Sequence, residues 1–336
     1  IIYGNDMDEF SVFLTKIGLL FNSNCTDVCL NIYNVDFIVD EYNLLFNKKF
    51  DIIIGNPPYI GHKKTDNDYK KILLDKYYDV YHDKSDISYC FFKKGKELLG
   101  NGGYLSFITS RYFMEAQYAD RLREFIKKEF EIISITDFNG IKVFKNVNVS
   151  PMIISLLNKN SFNNQFDFIK YNISSEGYKH YKYSQSNLKR KYWRILNNDE
   201  EKLFNKIDNL CKYKLRDICE IRQGIITGYD KAFIVTEKEI GTFNLEVRLL
   251  KRWIKNSNIS KNCIDYENRY IIYTDLIKDE NKYKNTINYL KTYKDKLEQR
   301  RECKRGVRKW YELQWGRELS KLEQPKIVFP FKAKSN

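Results

Sequence analysis

The stretch FDIIIGNPPYIG, residues 50–61, constrains the fold more than any other part of the chain. Its three consecutive isoleucines are typical of a buried β-strand, because β-branched side chains suit an enclosed, pleated surface. The two adjacent prolines fix φ twice and remove two backbone donors, so neither a strand nor a helix continues through them. The sequence therefore predicts a rigid loop at the carboxyl end of a core strand, where ligands bind in open α/β sheets.

The order of elements predicts two domains. In residues 1–160, strand-like runs such as VCLNIYN, YLSFIT and PMIISLLN alternate with amphipathic runs such as DEFSVFLTKIGLLF, SYCFFKKGKELL and RLREFIKKEF. This alternation predicts an α/β domain with a parallel sheet and helices on both faces. Residues 161–202 are polar without clear periodicity, so we expect a connection there. Residues 203–336 mix short strands (ICEIRQG, KAFIVT, YIIYTD, KIVFPF) with helices, which predicts an α+β domain.

The charge of the chain is concentrated in its second half. The net charge of the 336 residues is +14. Residues 1–190 hold 25 Lys and Arg against 23 Asp and Glu, whereas residues 191–336 hold 33 against 21. A basic half joined to a near-neutral half predicts a catalytic domain followed by a domain that binds a polyanion. A codon bias towards Lys is the alternative, although it does not explain why the excess lies in one half.

Composition disfavours a membrane protein, a secreted protein and a zinc protein. No apolar run approaches the length that crosses a bilayer, and the first residues, IIYGNDMDEF, lack the features of a signal peptide. The seven cysteines form no C-x-x-C pair and are accompanied by three histidines, a pattern that does not predict a zinc site. We therefore expect reduced thiols, a cytoplasmic location and no metal. Both termini resemble the interior of a strand, so we expect the chain to be part of a larger protein.

The loop after the isoleucines offers an unusual set of acceptors. The amide oxygen of Asn56 and the carbonyl of Pro57 both accept hydrogen bonds, and proline offers no competing N–H. Two converging acceptors suit an –NH₂ group, and Tyr59 supplies a flat face for the planar ring that carries it. The loop thus predicts a pocket for an exocyclic amine or an amide. A proline-rich turn that merely caps the strand is the structural alternative.

The sequence NPPY after an apolar strand resembles the catalytic loop of S-adenosylmethionine-dependent amino-methyltransferases, chiefly DNA adenine-N6 enzymes. The resemblance implies a Rossmann-like domain in which Asn56, Pro57, Pro58 and Tyr59 form the catalytic loop. It also implies that Phe144, in GIKVFKNVNVS, lies opposite Tyr59 on a flipped-out adenine. A buried phenylalanine at the end of a strand is the alternative for Phe144.

The same resemblance implies a binding site for the cofactor S-adenosylmethionine. Asp6, in IYGNDMDEF, matches the acid that binds the ribose hydroxyls, although a helix N-cap is an alternative for it. In NVDF, Asp36 would lie near the adenine amine and Phe37 against the adenine ring. Phe91 would pack on the other face of that ring. A turn acid and two core aromatic side chains are the alternatives for these three residues.

The closest resemblance is to the solitary DNA adenine methyltransferases of clostridia, within the type IIG and TaqI-like group. It rests on GNPPYIGHKK, QGIITGYDKAFI and RRECKRGVRKWYELQWGRE and spans nearly the whole chain. It implies that the C-terminal half is a target-recognition domain for double-stranded DNA and that the protein is monomeric. The DNA-binding candidates are Gln223, Arg300, Arg301, Lys304, Arg305, Arg308, Lys309 and Trp310. A solvated helix face is the alternative for the basic cluster.

The chain departs from this family in one respect, because the glycine-rich cofactor motif is absent. We expect that motif upstream of Ile1, in the γ order of motifs, and we expect this polypeptide to bind S-adenosylmethionine weakly. Other functions remain open. Protein glutamine-N5 and structured-RNA methyltransferases use the same loop, and a DNA-binding specificity fragment with a non-catalytic sheet is a further alternative.

Overall fold

The computed structural model describes residues 2–23, 30–40, 49–60, 65–141, 143–144, 149–159, 165–172 and 176–330. Internal contacts divide the chain into two units, Ile1–Leu210 and Cys211–Asn336, each with its own hydrophobic core. The strands of the first unit are β1 Tyr3–Asp6, β2 Asn31–Asn34, β3 Phe50–Gly55, β4 Leu99–Ser110, β5 Glu131–Asp137, β6 Pro151–Leu157, β7 Gln165–Asn172 and β8 Gly177–Ser184. Its helices are α1 Glu9–Asn22, α2 Asn67–Lys76, α3 Ser88–Leu98, α4 Asp120–Glu129 and α5 Asn198–Leu210.

The main sheet has six strands in the order β3-β4-β6-β5-β7-β8, and it is mixed rather than parallel. The pairs β3–β4 and β5–β7 are parallel, whereas β6 runs antiparallel to both β4 and β5. The expected all-parallel sheet is therefore wrong. β6 lies between β4 and β5 and is antiparallel to both, an arrangement that the local pattern of a strand does not specify, because that pattern fixes neither the neighbours nor the direction.

The polar segment that was expected to be a connection completes this sheet instead. β7 and β8 form an antiparallel pair at its edge. Phe166 and Phe168 of β7 are buried, and the residues between them are more exposed. This period of two is the pattern of a half-buried strand. We missed it because Lys, Asp and Tyr on the outer side made the segment look uniformly polar.

β1 and β2 form a separate two-stranded parallel sheet. The helix between them, α1, begins at an N-cap, Asp8, whose carboxylate accepts a hydrogen bond from the N–H of Ser11 at 3.0 Å. A carboxylate at this position satisfies a helical N–H that has no partner within the helix. The cap places the start of the helix directly after β1, so the chain turns away from the sheet at the carboxyl end of that strand.

α3 packs against β4 through a glycine. A Cβ on Gly95 would collide with Cδ1 of Leu105, so no larger residue fits without movement. The neighbouring side chains of Tyr89, Cys90 and Phe92 are buried in the same core. This close contact fixes α3 on the sheet, and α3 begins near the loop that follows β3.

The second unit contains short elements around its own core. Its strands are β9 Ile234–Thr236, β10 Leu250–Arg252, β11 Ile259–Ser260, β12 Cys263–Ile264 and β13 Arg269–Ile272. Its helices are α6 Leu215–Ile218, α7 Asp230–Phe233, α8 Glu237–Phe243, α9 Lys284–Lys291, α10 Lys294–Glu298, α11 Arg301–Lys304 and α12 Leu319–Leu322. The predicted strand YIIYTD is present in β13, but ICEIRQG and the described part of KIVFPF form no strand.

No helix in the described part of the chain is long and apolar enough to cross a membrane. The five cysteines in that part are free. Cys25 and Cys29 lie outside the described residues.

Candidate active site and nucleic-acid interface

The Asn-Pro-Pro-Tyr loop follows the strand β3 directly, as the sequence predicts. The expected burial of that strand is wrong, because β3 is the edge strand of the sheet and Ile52 and Ile54 are 65% and 77% exposed. β3 is parallel to β4, and Gly55 at its end is paired with Phe107. A Cβ on Gly55 would lie 3.3 Å from the ring of Phe107, which favours glycine at this position. Asn56 and Pro58 are exposed, Pro57 is buried and Tyr59 is half-buried. The loop is therefore held by Pro57 and presents Asn56 to solvent.

Tyr59 orients the amide of Asn56. Its hydroxyl donates to Oδ1 of Asn56 at 2.7 Å and also lies 3.2 Å from the carbonyl oxygen of Ile108 in β4. Burial, with the nearby charge of Asp86, raises the pKa of Tyr59, so the phenol stays protonated and remains a donor. An amide oxygen has two lone pairs, so Asn56 keeps one of them for a further donor such as an –NH₂ group.

Phe144 is half-buried, and no ring contact joins it to Tyr59 within the described ranges. Residues 61–64, which complete the stretch GNPPYIGHKK, lie outside those ranges. The expected pairing of Phe144 and Tyr59 around a base therefore stays a prediction.

Asp6 lies exposed at the carboxyl end of β1. Its Oδ1 accepts from the N–H of Asp8 at 2.9 Å. Asp6 is not the N-cap of α1, because Asp8 takes that role. The second carboxylate oxygen of Asp6 has no hydrogen bond within the described residues, so a ribose hydroxyl has an acceptor there.

Asp36 has the structural role of a turn acid, which was the alternative to a cofactor contact. Its Oδ1 accepts from the N–H groups of Ile38 and Val39, at 2.8 and 3.2 Å. Its Oδ2 accepts from the hydroxyl of Tyr69 in α2 at 2.8 Å. Burial, followed by the hydrogen bond to Asp36, raises the pKa of Tyr69. Asp36 therefore fixes its own turn, and a cofactor amine would have to share an oxygen that is already bonded.

The rings of Phe37 and Phe91 leave no gap between them for an adenine ring. Their rings are stacked on each other, with centroids 5.2 Å apart and an interplanar angle of 21°. Stacked rings at this separation are in direct contact, so no adenine fits between them as they lie. The expected sandwich is wrong for this arrangement, and the pair instead forms one aromatic wall at the start of the turn that contains Asp36.

The stretches QGIITGYDKAFI and RRECKRGVRKWYELQWGRE lie side by side in the second unit. Ile226 and Trp315 form an antiparallel bridge with N–H to carbonyl distances of 3.0 and 2.9 Å. Arg317 donates to Oε1 of Gln223 at 2.7 Å. Gly228 has a φ of +79°, and a Cβ there would lie 2.5 Å from Oε1 of Gln314, so glycine is required. A cleft of 510 Å³ lies beside this loop and is lined by residues 225–231 and Trp253.

Arg300 is not available for DNA, which corrects our expectation. It is 9% exposed, and its guanidinium donates to four backbone carbonyls, those of Leu297, Thr227, Trp310 and Glu312, at 2.7 to 3.0 Å. Four of the five N–H donors of the guanidinium are thus used within the protein, and its burial keeps it from a phosphate. Arg300 instead connects the glycine-containing loop to the segment around Trp310.

The other basic candidates differ in their exposure and in whether their charged groups already have partners. Arg301 is paired with Glu302 at 2.8 Å and Arg308 with Asp275 at 3.3 Å. Lys309 lies 3.0 Å from the hydroxyl of Tyr311. Lys304 and Arg305 are exposed, and within the described residues Arg305 makes no ion pair. Trp310 is half-buried and packs edge-on against Tyr311. Lys304 and Arg305 are thus the best placed for a phosphate.

Comparison with known proteins finds a family model that matches part of the first unit. Residues 1–144 match the family model of the Eco57I restriction-modification methylases. The match includes β1, the Asn-Pro-Pro-Tyr loop, α3 and Phe144, and it therefore covers every cofactor and target-base candidate of the first unit.

Longer relatives of the Eco57I-like segment are type II methyltransferases. M.BstVI of Geobacillus stearothermophilus is 25% identical over 332 residues, which cover 89% of this chain and 58% of that protein. M.HindII of Haemophilus influenzae is 27% identical over 259 residues, which cover 66% of this chain and 48% of that protein. The chain therefore spans about half the length of the curated relatives that it matches.

A solved structure has the same fold across both units. The type IIL restriction-modification enzyme MmeI, determined in complex with DNA, matches 93% of this chain with a TM-score of 0.66. The sequence identity is 14%, and the match covers 44% of the MmeI chain. At this identity the likeness concerns the fold alone.

Tyr69 and Asp86 were not predicted from the sequence. Tyr69 bonds to Asp36, and Asp86 lies beside the Asn-Pro-Pro-Tyr loop. Tyr69 lies on α2, a helix that we did not predict. Asp86 lies two residues before α3, a position where a helix-capping acid is common. That position was a usable signal, but only the folded chain places Asp86 beside the Asn-Pro-Pro-Tyr loop.

Proposed function

We propose that the protein is a site-specific DNA methyltransferase that transfers a methyl group from S-adenosylmethionine to N6 of an adenine flipped out of duplex DNA. The observation that carries the proposal is the exposed amide of Asn56, oriented by Tyr59 at the carboxyl end of β3. The match of residues 1–144 to the family model of the Eco57I restriction-modification methylases supports the reaction class. The likeness in fold to MmeI, an enzyme seen with DNA, supports the substrate.

In the proposed reaction, the chain binds and orients the base. Oδ1 of Asn56 and the carbonyl of Pro57 accept the two N6 hydrogens and so direct the nitrogen lone pair. The ring of Tyr59 stacks on the base, and stacking contributes roughly 1–3 kcal/mol per base. That is comparable with the few kcal/mol that unstacking a base costs. Catalysis in this site consists of proximity and orientation, and one copy of the chain acts without a metal ion.

The residues of the first unit fit the cofactor in part. Asp6 would hold the ribose hydroxyls with its free carboxylate oxygen, and the stacked pair of Phe37 and Phe91 offers one aromatic wall for the adenine. When bound, S-adenosylmethionine supplies an electrophilic methyl group on a positive sulfonium. Asp36 contributes by fixing the turn that holds Phe37.

The second unit is proposed to be the target-recognition domain, with Lys304 and Arg305 on phosphates and the loop at Gln223 near the bases. Its boundary follows the division at Leu210 and Cys211 rather than the expected one at residue 203. The stretches QGIITGYDKAFI and RRECKRGVRKWYELQWGRE carry the likeness to the solitary clostridial enzymes. Their pairing through Ile226 and Trp315 supports a single recognition surface.

The function is tested by expressing the complete reading frame in a host that lacks adenine methylation. Single-molecule sequencing of the host DNA is expected to detect N6-methyladenine at one short motif. An unmethylated genome in the presence of folded protein would contradict the proposal. Purified protein would then be tested on glutamine-containing release factors and on structured RNA, and the absence of any transfer would favour a non-catalytic DNA-binding protein.

Two substitutions of Tyr59 separate its ring from its hydroxyl. Tyr59→Phe keeps the stacking face and removes one hydrogen bond, so we expect kcat/KM to fall by about twofold to tenfold. Tyr59→Ala also removes the stacking face, so we expect a fall of about 5-fold to 150-fold. Steady-state methylation of a duplex that contains the motif measures both. Equal losses in the two variants would mean that the ring does not contact the base.

A further inference from the structure

Asp86 holds the end of the Asn-Pro-Pro-Tyr loop through the backbone. The N–H of Ile87, the residue after Asp86, donates to the carbonyl of Ile60 at 3.2 Å. The N–H of Ile60 lies near the Asp86 carboxylate and lowers its pKa. Ile60 is thus bonded through its carbonyl to the start of α3, and it directly follows Tyr59. The orientation of the Tyr59 ring therefore depends on residues 86 and 87.

The same carboxylate fixes the first turn of α3. Its Oδ1 accepts from the N–H of Ser88, the first residue of the helix, at 3.0 Å. An acid at this position satisfies an N–H that has no partner within the helix and lies favourably near the positive end of the helix dipole. Ser88 is 2% exposed, so this bond lies within the protein.

α3 also carries one half of the aromatic wall. Phe91 is one turn after Ser88 and stacks on Phe37. The helix itself is fixed on β4 by the contact of Gly95 with Leu105. A shift at the start of α3 would therefore move Phe91 and Tyr59 relative to each other, because both depend on the bonds of Asp86.

We propose that Asp86 is a positioning residue that sets the placement of the Tyr59 ring relative to Phe91, and hence of the target base relative to the methyl donor. This inference rests on the proposed function. Neither ring contacts Asp86 through a bond of its own, so Asp86 acts through Ile60 and Ser88. Burial raises the pKa of Asp86, whereas its bond to Ser88 and the nearby N–H of Ile60 lower it, which is consistent with a carboxylate held in the protein by backbone donors.

The test compares Asp86→Ala with Asp86→Asn. Alanine removes the acceptor, and we expect kcat to fall by about 100-fold, the loss typical of a misplacement near 1 Å, with KM for DNA unchanged. Asparagine keeps an amide oxygen at the same position and is expected to restore most of kcat. The matched control is Asp75, an exposed acid on α2, whose change to Ala or Asn is expected to leave kcat unchanged.

Hydrogen–deuterium exchange gives a second readout that does not need activity. In Asp86→Ala, amides of residues 56–60 and of the first turn of α3 are expected to exchange faster, with the rest of the first unit unchanged. Unchanged exchange at both places would overturn the inference, whether or not the parent protein methylates DNA. An active parent whose kcat is unaffected by Asp86→Ala would also overturn it, whereas an inactive parent would contradict the proposed function alone. If Asp86→Ala raised exchange throughout the first unit and Asp86→Asn did not restore kcat, Asp86 would contribute only to stability, and the inference would be overturned.

Discussion

Asn56→Ala is expected to lower kcat for DNA methylation by on the order of 1,000-fold while DNA affinity stays within a few-fold of the parent protein. The substitution removes one of the two acceptors that aim the N6 lone pair, so the reacting atoms lose their alignment. Losses of this order follow the removal of a single preorganised hydrogen-bonding group in other active sites. Affinity should hardly change, because binding to DNA depends mainly on phosphate contacts.

The measurement is single-turnover methylation of a duplex that contains the motif, together with a binding titration. Asn101→Ala is the matched control, since Asn101 is exposed near the start of β4, at the edge opposite the loop. Asn56→Asp keeps oxygen acceptors at the same place and is expected to retain more activity than Asn56→Ala. If Asn56→Ala methylated at the parent rate, the Asn-Pro-Pro-Tyr loop would not be the site of transfer.

Much of the first unit was predictable because its elements have strong local signals. The amphipathic runs predicted α1, α3 and α4, and the three isoleucines predicted β3. The pairing of the strands was less predictable, since the antiparallel position of β6 depends on contacts between distant residues. β7 and β8 were missed because only one face of each is apolar, and Lys and Tyr on the other face hid the alternation.

The candidate site was predictable where one loop carries the chemistry and not where the fold brings groups together. Asn56 and Tyr59 are three residues apart, so their local sequence determined their association. Asp36 and Tyr69 are 33 residues apart and meet only in the folded chain. Ile87 bonds to Ile60 across a similar separation. The direct stacking of Phe37 on Phe91 likewise depends on how α3 packs, which no local pattern specifies.

The basic cluster shows the same limit in the second unit. Arg300 and Arg305 are the same type of residue and lie close together in the sequence, yet their surroundings differ. Arg300 is buried with four carbonyl acceptors, and its guanidinium also lies 5.5 Å from the ring of Phe233. Arg305 is exposed. The first therefore connects backbone segments of the second unit, whereas the second is exposed to solvent.

Arg300→Met is expected to destabilise the second unit by about 3 kcal/mol or more. Methionine fills part of the volume but removes the side-chain donors of four carbonyls, of which those of Leu297 and Thr227 keep a backbone donor and those of Trp310 and Glu312 lose the guanidinium. Each buried group that loses its partner costs roughly 1–3 kcal/mol. For a unit of this size, such a loss corresponds to a fall of about 10 °C in Tm. Differential scanning calorimetry of the complete protein measures it.

Arg305→Ala is the matched comparison and is expected to have the opposite profile. Its Tm should stay that of the parent, while DNA affinity falls and the slope of log Kd against log salt decreases by about 1, as for the loss of one phosphate contact. If Arg300→Met kept the parent Tm and lost DNA affinity instead, Arg300 would be a phosphate contact after all. The contrast between the two variants therefore tests whether burial, rather than charge, decides which arginines of this cluster bind DNA.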